Sequence, residues 1–168
     1  MSGISGISAG GADAEAMFVA ATGATKTERA ALGDAVLDGH FVEVKQARSP
    51  TLNQVRAVKY IVLVAFFVPD GQWYVVPANE IVRQCARKGR GQHTENPFES
   101  ATMSLKNLSG YKIANVNELK PKVLEAVAEA ETYPELGDLM RQVLVDSKDV
   151  AKRSTEAVRE ALGRLGLD

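Results

Sequence analysis

Gly33-Asp34-Ala35-Val36-Leu37-Asp38-Gly39-His40-Phe41-Val42-Glu43-Val44-Lys45 reads as a tight β-hairpin. Asp38-Gly39 supplies the turn, because both positions of a two-residue hairpin loop favour positive φ. Val, Leu and Phe flank it at strand spacing. A two-residue turn fixes the register: 37 faces 40, 36 faces 41, 35 faces 42 and 34 faces 43. Asp34 then stands across from Glu43, and Lys45, two residues on, shares their face.

Like charges directly opposed destabilise a sheet, and a divalent cation between the two carboxylates supplies the compensation. Hard cations such as magnesium take oxygen ligands, commonly one or two carboxylates plus substrate phosphates. A lysine beside them can orient an attacking water and offset charge on a phosphorane-like transition state. The constellation points to metal-dependent phosphodiester hydrolysis. The competing reading is a solvated hairpin face with an ordinary Glu-Lys pair.

Composition sets bounds on the rest. The chain has 168 residues, 45% of them hydrophobic, enough for one domain with a real core and a modest extension. With a net charge of -1 and a pI of about 6.2 it is not a basic nucleic-acid binder as a whole. Any DNA contact must come from a local patch. Cys85 is the single cysteine, which excludes an intrachain disulfide framework and fits a reducing, cytoplasmic setting. His40 and His93, the two histidines, cannot make a zinc site alone. The longest apolar stretch, Tyr60 to Val68, suits a buried strand rather than a membrane span, so no membrane association is expected. Met1 to Gly11 is a Gly/Ser/Ile-rich lead-in, read as flexible and without the features of a signal peptide.

Around the hairpin, Ala12 to Ala21 reads as a helix, and Thr25 to Leu32 as a second, short one opened by a capping-box pattern. Thr51 to Lys59 reads as a short helix with Thr51 as N-cap. Tyr60 to Val68 is a central strand, Pro69-Asp70-Gly71 a turn, and Gln72 to Val76 a further strand. A helix runs from about Asn79 to Ala86, with Cys85 packed in the core. Ser100 to Leu105 is a late strand returning to the sheet. Arg83 and Arg87-Lys88-Gly89-Arg90-Gly91-Gln92-His93 make the clear basic patch, its glycines letting the loop follow a phosphate backbone. His93 near Asn96 does not make an HNH-type site, since the ββα metal motif is missing.

Gly33-Asp34, eight residues, then Glu43-Val44-Lys45 resembles the D…(D/E)-x-K signature of the PD-(D/E)xK nuclease superfamily. Restriction endonucleases and Holliday-junction resolvases belong to it. The proline that usually precedes the Asp is replaced by Gly33. The resemblance implies a mixed-sheet α/β fold with a restriction-endonuclease-like αβββαβ core, magnesium (with manganese as a substitute) and DNA cleavage. It implies metal binding by Asp34, Glu43 and the Val44 carbonyl, with Lys45 assisting the attacking water. An acid on the leading helix often assists the metal through water. Glu15 and Glu28 are the candidates for that place, and Gln46 is a further candidate near the metal. The segment after the catalytic strand often lies beside the scissile strand. Arg48, Gln54 and Arg56 are therefore candidates for DNA contact, with Arg87, Lys88, Arg90 and His93 on the basic loop.

The expected organisation is a lead-in over 1–11, a nuclease-like core over 12–116 and a helical extension over 117–168. Three helices are expected there, over 121–131, 135–145 and 147–165. Leu136, Leu139, Met140, Val143 and Leu144 form one apolar stripe. Val150, Ala157, Val158, Ala161, Leu162 and Leu165 form another. Such stripes pack on the core or on a second subunit, which makes a homodimer the natural hypothesis for a double-strand nuclease. Two other readings stay open: a non-catalytic nucleic-acid-binding module, and a protein-interaction adaptor.

Overall fold

The computed structural model of the chain describes residues 12–145 and 151–168. Met1 to Gly11 and Val150 lie outside the described residues, as does the side chain of Leu144. At the hairpin, Asp38 and Gly39 both take positive φ, 48° and 82°, as a two-residue turn with right-handed strand twist requires. β2 (Ala35–Leu37) and β3 (His40–Ala47) pair in the expected register, Ala35 with Val42, Val36 with Phe41 and Leu37 with His40.

β3 is the centre of a five-stranded mixed sheet in the order β1 (Thr25–Lys26), β2, β3, β5 (Val62–Phe67), β6 (Gln72–Val76). β5 runs parallel to β3, and β6 antiparallel to β5. The parallel step places Glu43 beside Leu63 and Lys45 beside Ala65. β5 is apolar throughout because both faces of the sheet are covered. On one face Val42, Val44, Val62 and Val64 gather with Ala14 and Phe18 of α1 (Ala12–Thr22) and with Leu119 and Val123 of α3 (Leu119–Glu131). On the other, Leu63, Ala65 and Val76 gather with residues of α2 (Ala78–Cys85), α4 (Pro134–Val145) and α5 (Ala151–Arg164).

Three expectations are corrected. Thr25 to Leu32 is not a helix: Gly23, at φ 77°, ends α1, and β1 (Thr25–Lys26) pairs with β2. Thr27 Oγ1 accepts the Arg29 N–H at 3.0 Å in a local turn. Thr51 to Lys59 is not a helix either. It is β4 (Thr51–Val55), followed by a single 3-10 turn, Ala57–Lys59. The late strand exists as β7 (Ala101–Ser104), but it pairs with β4 in a separate two-stranded sheet rather than returning to the main one. The order α-β-β-β-α-β is therefore not reproduced within one sheet, and β6 fills the edge instead.

Beyond β6 the edge is closed by the chain itself. Tyr74 bridges to Lys112, the Ile113 N–H donates to Trp73 O at 3.1 Å, and Gln72 Nε2 donates to Ile113 O at 2.9 Å. The stripes on the last helices face inward: Leu136, Met140, Val143, Val158, Ala161 and Leu162 are buried in the chain's own core. Their burial leaves little of them for a dimer contact. Among the described residues no helix is long and apolar enough to cross a membrane.

Candidate functional site

The site starts where β2 begins. Ladder pairing ends at Ala35 and Val42, and the Asp34 N–H donates to the same Val42 carbonyl at 2.8 Å. Two successive residues thus address one partner, the arrangement of a β-bulge. Asp34 is not squarely opposite Glu43, which corrects the extrapolated register and relieves the like-charge clash. Its carboxylate turns along β3 instead, and Oδ2 accepts the Val44 N–H at 2.8 Å. Gly33 makes the approach possible. Its φ is 155°, and a Cβ there would stand 3.1 Å from Phe41 Cβ and 3.2 Å from the Val42 carbonyl oxygen. Proline, locked near −65°, cannot take that conformation, and a glycine can.

Glu43 and Lys45 alternate with the buried Val42 and Val44, so both leave the sheet on one face. With Asp34 and Glu15 they line an open cleft of ≈ 570 Å³. Burial, the main cause, lowers the proton affinity of Lys45; Glu43 and Asp34 oppose that shift and Lys59 adds to it. Burial also raises the proton affinity of Glu15. Asp34 and Glu43 push the same way, and Lys26 opposes. Of the two helix candidates, then, Glu15 reaches the cleft, on α1. Glu28 is exposed in the turn after β1 and does not line it. Gln46 lines the cleft too, and its Oε1 is buried without a hydrogen-bond partner.

Glu43 has a partner that inspection of the sequence did not supply. Lys59 Nζ lies 3.0 Å from Glu43 Oε1, in a pair whose side chains are 13% and 18% exposed. The sequence carried Lys59 only as a lesser candidate for phosphate contact in the segment after the catalytic strand. Sixteen residues and a strand crossover separate the two, and no local spacing rule reaches that far.

The donor set suits a hard cation. Asp34 and Glu43 offer carboxylate oxygens. The Val44 N–H faces Asp34, and strand geometry points the carbonyl of the same residue to that side. Among the described residues no three His, Cys, Asp or Glu side chains are grouped to hold a metal by themselves. A site of this kind fits magnesium, which usually keeps water and phosphate oxygens beside one or two carboxylates.

The DNA-contact candidates divide. Arg48 and Gln54 are exposed and line the cleft. Arg56 lies outside it, its Nε donating to Glu99 O at 3.0 Å. Arg87, Lys88, Arg90 and His93 are also outside it, on the loop after α2. That loop reaches the cleft wall through Gln92, whose Oε1 accepts the Gln54 N–H at 2.7 Å. Gly91 is required for internal closure rather than for phosphate approach: a Cβ there would lie 2.5 Å from the Asn96 and Ser100 carbonyl oxygens.

Comparison with protein-family models, curated proteins and solved structures finds no match.

Proposed function

We propose that the chain is a divalent-metal-dependent nuclease that hydrolyses phosphodiester bonds in DNA. The observation that carries this reading is the shared cleft: Asp34, Glu43 and Lys45 line one open cavity with Arg48 and Gln54 on its rim. Asp34, Glu43 and the Val44 carbonyl would hold magnesium or manganese. The ion would supply Lewis-acid polarisation of the phosphate and a more acidic bound water. The Val44 N–H fixes the rotamer of Asp34, so one ligand is ordered in advance. Lys45, whose burial eases loss of its proton, is placed to orient the attacking water and to balance charge on the phosphate. Arg48 and Gln54 hold the substrate backbone at the rim.

The run α1-β1-β2-β3 followed by the parallel β5 supports a PD-(D/E)xK-like core, while β7 in a second sheet departs from it. A second reading, a non-catalytic DNA-binding module, is favoured by the ion pair of Lys59 with Glu43, which balances that carboxylate without a metal.

Incubation of the purified protein with duplex DNA and magnesium separates the two. Cleavage is expected from the native chain. Glu43→Ala and Lys45→Ala should abolish it, a loss of at least ~10²-fold, while DNA retention in a gel-shift assay persists. Variants that cut as well as the native chain would refute the assignment. DNA binding that is indifferent to divalent ions, without cleavage, would select the second reading.

A further inference from the structure

Lys59 comes to Glu43 from outside the cleft. Glu43 lines the cavity and Lys59 does not, yet the ammonium sits 3.0 Å from Glu43 Oε1 and 3.4 Å from the Ala30 carbonyl. The backbone imposes this placement. Lys59 closes the 3-10 turn over Ala57–Lys59, in which Ala57 and Val58 are buried. The next residue, Tyr60, is left-handed at φ 46° and ψ 51°. That conformation is unfavourable for an aromatic residue and persists only where the surroundings enforce it. Here they do. The Tyr60 hydroxyl donates to the carbonyls of Ala130 at 3.0 Å and Tyr133 at 3.3 Å. Gly137 lies under the ring, where a Cβ would stand 3.3 Å from Tyr60 Cδ2. The corner between α3 and α4 therefore fixes where the Lys59 ammonium can go.

The geometry points to Lys59 as a resident counter-charge that positions Glu43 and sets how tightly the cleft holds a divalent ion. The inference rests on the metal site proposed above. An ammonium in contact with a largely buried carboxylate orders it, but weakens the field that draws in a second cation. Lys59 thus acts through Glu43, as a positioning residue.

The test is a manganese titration of the full chain without DNA, read by the electron paramagnetic resonance of free Mn²⁺. Lys59→Gln keeps a hydrogen-bond donor and removes the charge, and should bind Mn²⁺ about tenfold more tightly than the native chain. Lys59→Met, which loses the donor as well as the charge, should gain less than Lys59→Gln, and Lys59→Arg should match the native affinity. A contact that merely supported the fold would loosen the ion when lost, not tighten it. Unchanged or weaker binding by a folded Lys59→Gln variant overturns the inference. If Glu43→Gln still loses the ion in that case, the metal site stands and only the role of Lys59 falls. A native chain that binds no Mn²⁺ removes both.

Discussion

Glu15 carries a pH signature that follows from its place on the cleft. Burial, with Asp34 beside it, raises its proton affinity above the ordinary value of 4.5. The folded state therefore binds a proton more readily than the unfolded chain, and stability falls as pH rises through the window above 4.5. Glu15→Gln removes that loss. It should be more stable than the native chain at pH 7, by under ~1 kcal/mol because the group is partly solvated, and no more stable below the ordinary carboxylate range. Urea melts across that range check the sign. The position of Glu15 was half legible: the sequence offered Glu15 and Glu28 alike, and the end of α1 at Gly23 separated them. Asp34, Glu43 and Lys45 were legible because alternation along a strand is a local rule. The bulge at Asp34 was not, since it depends on how closely Gly33 can approach Phe41 and Val42.

At the scale of elements, β4 explains why a strand looked helical. Its buried residues, Leu52 and Val55, lie three apart, a helix-like interval. Their partners on β7, Met103 and Ala101, lie two apart. The additional residue is taken up near Gln54, left-handed at φ 52°, so the interval is a strand period interrupted by a bulge. Nothing in the one-dimensional pattern separates those cases. Gln54→Val should cost ~1–2 kcal/mol in urea unfolding, because a β-branched side chain resists that conformation. Gln54→Asn should stay within ~0.5 kcal/mol, since Asn tolerates it. Equal stability of the two variants would show that the bulge relaxes at no cost. The turn and the pairing of residues 35–37 with 40–42, by contrast, were readable, because Asp-Gly allows so few turns.

Across the whole molecule, the helices after residue 117 complete the core. Leu119 and Val123 cover one face of the sheet, and Leu136 and Met140 are buried on the other side, all 0% exposed. Each such side chain contributes ~1.5–3 kcal/mol on burial, and together they rival the ~5–15 kcal/mol margin of a small domain. A fragment of residues 1–116 should therefore lack a cooperative thermal transition in calorimetry. A fragment that melted cooperatively would restore the reading of a separable extension. Amphipathic stripes identify what is buried but not against what, which is why the same residues could be read as an oligomer surface.

The sheet's two rims have a consequence for life at high concentration. One rim is a strand of two residues, Thr25 and Lys26, both exposed. The other is capped by the hydrogen bonds of residues 112–113 with Gln72, Trp73 and Tyr74. Neither offers a long, bare row of amides onto which a foreign strand can graft. Strand grafting onto the five-stranded sheet should therefore wait until that sheet itself comes apart.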